Sequence, residues 1–197
     1  MNVARAIRPV ALVVVGLCGC VAPDRAPRAS DSAADGNDVS DGAETATLTG
    51  DGVVEPSVDA EAIMARAFDY ETELVKVSVA ADPGTHGDAS LVHFFVSGEN
   101  VDRFKTIDLN RTDQSVQFVE GSMFVKEHLD GDGAPTGFTV MYKGPRDYDP
   151  ESGDWFWGRV LDGEITHQGK VGFCTDCHVD VESTDFVFGL RADNQVE

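Results

Sequence analysis

Apolar positions are spread unevenly along the chain. Val10 to Leu17 forms an uncharged apolar run near the N-terminus. Residues 21–58 then contain no aromatic residue and little that could build a core, whereas every tryptophan, tyrosine and phenylalanine lies beyond them. The Ala, Ser, Asp and Gly of that middle stretch predict a disordered, acidic tether. Residues 59–197 amount to one domain's worth of sequence.

Within that domain the hydrophobic period changes several times. Ile63, Met64, Ala67 and Phe68 recur at helical spacing behind Ser57, which reads as the N-cap. Val75, Val77 and Val79 then alternate with Lys76 and Ser78, the pattern of a strand. After the turn "ADPGTHGD", "SLVHFFVS" is an apolar strand and "ENVDRFKTI" a short helix. "GSMFVKEHL" and "TGFTVMYKG" are strands joined by Asp130-Gly131-Asp132-Gly133, a hairpin signal. The Asp-x-Asp spacing there does not make a calcium loop, because Pro135 and Met141 stand where one needs glycine and glutamate. "GDWFWGRVL" is a further strand, the cysteine motif "CTDCH" opens a short helix, and "TDFVFGL" closes the domain. Strands paired by hairpins with helices outside them predict an α+β fold dominated by an antiparallel sheet.

The first twenty residues look like an export signal: Arg5 and Arg8 precede an apolar run too short to span a bilayer. Its end, Leu17-Cys18-Gly19-Cys20, matches a bacterial lipobox, which makes Cys20 the acylated residue of the mature chain. The plainer alternative is an ordinary signal peptide containing two cysteines. Either way the domain is expected outside the cytoplasm, in a bacterial cell envelope, and the lipobox adds a membrane anchor of more than one acyl chain. A formal charge of −20 argues against nucleic acid and anionic lipid headgroups as partners. A cationic redox partner is compatible with that charge, although acidity also simply favours solubility.

With Cys18 removed and Cys20 acylated, only Cys174 and Cys177 remain for chemistry. A zinc site needs further cysteines or a well-spaced histidine pair, and His86, His93, His128 and His167 are scattered. A thioredoxin-like dithiol belongs early in a βαβ unit, whereas Cys174 lies close to the C-terminus of a chain without parallel α/β patterning. One covalently attached haem c fits best: two thiols at fixed separation meet the two porphyrin vinyl groups, and the next residue, His178, supplies an imidazole to the iron. No methionine follows His178, and Met64, Met123 and Met141 read as core filler. The alternation in residues 121–165 also argues against a helical bundle. The pattern predicts a haem on a β-rich scaffold with a vacant or weakly filled distal position; a simple electron-transfer cytochrome stays as a further alternative.

"GSMFVKEH", "GFTVMYK", "PESGDWFW", "CTDCH" and "DFVF", in that order, resemble the cytochrome P-460 family, which includes the sheet-built cytochromes c′-beta. The likeness covers about residues 59–197. It implies one c-type haem held by Cys174 and Cys177, with His178 as proximal iron ligand and an open distal site for small molecules such as NO. In the enzyme branch, which oxidises hydroxylamine, a lysine of the "VKE" strand bonds to a porphyrin meso carbon; the matching residue is Lys126. On its strand Lys126 shares a face with Phe124 and His128. That branch uses a carboxylate on the next strand to move protons. Aligned through Lys143 and Trp155, this position is Thr139, and a hydroxyl is a poor general base near neutral pH. This departure puts hydroxylamine chemistry in doubt, so whether the protein is an enzyme stays open. His93 falls roughly where some members carry a polar distal residue, and Phe94 and Phe95 are candidates for an apolar distal cap. Relatives are often dimers, which makes a homodimer an expectation.

Overall fold

The computed structural model describes residues 55–83, 86 and 89–197. The leader, Cys20 and nearly all of the tether lie outside these described residues. Among the described residues no helix is long and apolar enough to cross a membrane. The compact unit Thr49–Glu197 holds every described element.

Helix α1 (Ala60–Phe68) is capped by Asp59, whose Oδ1 accepts the Ala62 backbone N–H at 2.9 Å. The cap is therefore Asp59, not Ser57: its carboxylate lies within reach of the first free N–H groups of the helix. Ile63, Met64 and Ala67 face inward as their spacing predicts, whereas Phe68 is largely exposed and meets Phe138 edge-on. A single turn, α2 (Tyr70–Glu73), leads into the two-residue strand β1 (Val75–Lys76). The valine alternation overstates this strand. Val77 is buried, but Val75 and Val79 are 45% and 63% exposed, and Ser78, at 1%, is the buried neighbour. Ser78 turns inward because its hydroxyl accepts the Phe94 N–H and its backbone bridges Gln195 near the C-terminus.

Strands β2 (Asp82–Pro83), β3 (Leu91–Val96), β4 (Met123–Leu129), β5 (Pro135–Lys143), β6 (Trp155–Leu161) and β7 (Glu164–Gly169) complete a sheet that has seven strands among the described residues. The order is β1-β3-β4-β5-β6-β7, with β2 also pairing β3, and every pairing is antiparallel. Helix α3 (Val101–Lys105) lies between β3 and β4, as predicted. The α+β, sheet-dominated architecture is the one the hydrophobic pattern predicts. The β4–β5 hairpin closes through Asp130, whose carboxylate accepts the Asp132 and Ala134 N–H groups at 2.9 and 2.8 Å. That carboxylate fastens the turn. Strand β7 was not foreseen: "EITHQG" is mostly exposed, so no apolar alternation marks it.

Cross-strand register assigns each side chain to one of two faces. Phe95, Val125, Val140 and Gly158 form a row on the first face, against which α1 packs. Helix and sheet approach so closely there that a Cβ on Gly158 would lie 2.7 Å from both Met64 Sδ and a Val140 methyl. Val96, Phe124, Met141 and Trp157 form a row on the second face. That face is covered by the last segment of the chain: helix α4 (Gly172–His178), a 3-10 stretch (Val179–Thr184) and residues 185–190.

Candidate functional site

The second face carries the chemistry. Its central row reads Phe94, Lys126, Thr139, Arg159 and His167 across β3 to β7, and the adjacent row holds Val92, His128 and Gly137. Lys126 and Thr139 are thus direct cross-strand neighbours, and His128 Nε2 meets Thr139 Oγ1 at 3.3 Å. Lys126 Nζ lies 5.1 Å from the Phe94 ring centre and 5.4 Å from that of Phe188. Burial lowers its pKa to about 8, with no carboxylate among the described residues acting in the other direction.

His93 does not join them. It sits one residue before Phe94 and so projects from the opposite face, in register with Glu127 and Phe138, with Nδ1 3.3 Å from Ser78 Oγ. The expectation that it lines the pocket is corrected by this parity. Phe94 and Phe95 separate for the same reason: Phe94 reaches Lys126, and Phe95 packs under Tyr70 on the α1 side. Glu127, the carboxylate beside Lys126 in sequence, also points away and accepts the Tyr70 hydroxyl at 2.6 Å.

Over this row lies the cysteine motif. Cys174 and His178 are four residues apart on α4 and share a face of that helix, which ends at the histidine. Cys174 is half-buried against the core of the second face, and Cys177 is exposed. Burial pushes the Cys174 thiol up to about 11, which leaves it protonated at neutral pH, the reverse of a redox-active dithiol. His178 Nδ1 donates to the Phe186 carbonyl at 2.6 Å. A carbonyl only accepts, so Nδ1 holds the proton and Nε2 keeps a free lone pair. Burial first, and the nearby Lys126 charge second, lower His178 to about 4, so its imidazole is neutral.

The His178 anchor is itself tightly held. Asp185 and Phe186 both adopt left-handed backbone angles, with φ of 55° and 64°. Such a turn in two non-glycine residues costs free energy and persists only where its surroundings impose it. Here the Asp185 carboxylate takes Lys143 Nζ at 2.6 and 2.8 Å and the Phe118 N–H at 2.8 Å, while its carbonyl takes Trp155 Nε1 at 2.8 Å. This network explains why "MYK", "DWFW" and "DFVF" occur together: they build the support for the Phe186 carbonyl. Their spacing gives no hint of that contact.

Pocket residues that sequence reasoning left unassigned are His86, Trp157 and Phe188. The Trp157 and Phe188 rings meet His178 edge-on at 4.7 and 5.0 Å. His86 lies between two other imidazoles, with ring centres 5.4 Å from His128 and 6.3 Å from His178. Burial, then the surrounding positive groups led by Lys126, drive it far below its ordinary pKa. The parity of β6 could have flagged Trp157; a loop histidine such as His86 carries no periodic signal.

These residues fit a haem. The free Nε2 of His178 is an iron ligand of the right kind, and two unpaired thiols stand on the same helix. Trp157 Nε1 and His86 Nδ1 are buried without a hydrogen-bond partner among the described residues, a costly state for a face closed by protein alone. By contrast, a shallow cavity of about 210 Å³ near Asp59, Arg66 and Tyr142 is smaller than ordinary cofactor pockets. The family model described as Cytochrome P460 matches residues 67–189. No curated protein matches the chain.

Proposed function

Because the chain belongs to the cytochrome P460 family, and is therefore a haem cytochrome, we propose that it is a mono-haem c-type cytochrome whose iron binds small nitrogen oxides such as NO. The observation that carries this reading is the His178 arrangement. Its Nδ1 is fixed to the Phe186 carbonyl and its Nε2 left free, beside Cys174 and Cys177 on one helix. Cys174 and Cys177 would hold the porphyrin by thioether bonds and His178 would be the proximal ligand. When bound, the haem iron supplies ligand binding and one-electron chemistry. Phe94, Phe188 and Trp157 exclude water from the pocket, and the Thr139 hydroxyl, steadied by His128, orients a bound ligand. With the lipobox at Cys20, the protein would be tethered to a membrane of the cell envelope and exchange electrons with a partner protein.

A second reading, hydroxylamine oxidation at a lysine-linked haem, draws support from Lys126. This amine is buried in the pocket with a pKa near 8, so a useful fraction is neutral and nucleophilic. Against it stands Thr139, a hydroxyl where that chemistry wants a proton-accepting carboxylate, with Glu127 facing the other way.

The test is the absorption spectrum of the reduced protein with and without NO, joined to steady-state hydroxylamine oxidation with an artificial electron acceptor. The proposal expects a spectral change on adding NO and negligible turnover. Rapid turnover, together with a haem peptide that contains Lys126, would establish the second reading instead.

A further inference from the structure

The proposed function leaves His86 without a role, although it is buried in the same pocket. An imidazole nitrogen binds a first-row metal at about 2 Å and lies about 1 Å from its ring centre, so two imidazoles on opposite sides of one iron have centres about 6 Å apart. The His86 and His178 ring centres are 6.3 Å apart. The other rings that meet His178 among the described residues, Trp157 and Phe188, offer no lone pair to a metal, whereas the nearby Lys126 amine is protonated for the most part at neutral pH. His86 Nδ1 has no hydrogen-bond partner among the described residues, so no contact from that nitrogen holds the ring away. Competing donors are less well placed. His128 is engaged with Thr139, Met64 and Met123 belong to the opposite face, and Met141 packs in the apolar cluster around Trp155.

We propose that His86 is the sixth ligand of the haem iron, facing His178 across it, and that NO must displace it. This inference rests on the haem reading above and names an exchangeable occupant for the distal position that the sequence pattern predicts to be vacant or weakly filled. Ligation forms one iron–nitrogen bond and NO binding breaks it, with no net redox change. Binding that requires a ligand to leave is weakened by the fraction of iron still free.

The experiment uses the full haem-loaded protein. Electron paramagnetic resonance and near-infrared magnetic circular dichroism of the ferric wild type should show six-coordinate, low-spin iron with two histidine ligands. His86→Ala should convert it to five-coordinate, high-spin iron, and added imidazole should restore the low-spin signal. If His86 occupies the iron for 90–99% of the time, the variant should bind NO about 10- to 100-fold more tightly. A high-spin wild type overturns the proposal without any variant, and so does a low-spin signal that survives in His86→Ala, which would point to Lys126 or His128. Protein that carries no haem defeats the parent reading as well, a result distinct from haem that is attached but five-coordinate.

Discussion

The two faces of the sheet solve the burial problem differently. On the α1 side the core is closed by protein alone: Ile63, Met64, Ala67, Val125, Val140 and Phe156 pack together, and the buried Glu127 is paired with Tyr70. On the other side, aromatic rings flank the buried Lys126, and among the described residues no carboxylate acts on it and the buried nitrogens Trp157 Nε1 and His86 Nδ1 have no hydrogen-bond partner. A protein tolerates such costs where another group completes the site. The first face reads as structure, and the second as a receptacle.

The largest effect is expected where the second face is braced. Asp185→Ala removes a buried partner of Lys143 and should cost about 3–5 kcal/mol in urea unfolding, because it strands a buried charge. It should also perturb the iron spectrum by loosening the Phe186 carbonyl that orients His178. Loss of stability with an unaltered spectrum would uncouple the brace from the site.

Lys126→Met should instead stabilise the protein at pH 7 by about 2–3 kcal/mol, by removing a desolvated charge. The sign with pH follows from the two pKa values. The native lysine releases its proton near pH 8 and the unfolded one near 10.5, so between them the unfolded chain binds more protons. Wild-type stability therefore rises through that window, and the advantage of the variant should fade across it. A constant advantage would mean that Lys126 is not desolvated.

Changes on the first face should leave the iron untouched. Gly158→Val drives a side chain into Met64 and Val140 and should cost about 1–3 kcal/mol with no change in the haem spectrum. Asp59→Ala removes the α1 cap for about 1 kcal/mol, again without a spectral effect. A spectral change in either variant would break the division between the faces.

The same division marks what was legible in advance. Strands β3 to β6, the Asp130 hairpin and the shared face of Phe124, Lys126 and His128 follow from period-two patterning and turn chemistry. His93 could not be placed that way. The connection between β3 and β4 spans residues 97–122, and no tight turn fixes their register, so its face emerges only from pairing with Glu127. The Asp185–Lys143 brace and the His86–His178 pair join residues distant in sequence through side-chain contacts that leave no periodic trace. The reading of "CTDCH" as a haem attachment site rests on spacing alone, because the bond geometry of such an attachment constrains it.

The central claim is that the second face is completed by a porphyrin bonded to Cys174 and Cys177. Co-expression of the full chain with cytochrome c maturation machinery, followed by intact mass measurement of the denatured product, tests it most directly. The account predicts a mass increase of one haem, lost in the Cys174→Ala/Cys177→Ala variant. A folded wild-type protein at its haem-free mass would contradict it.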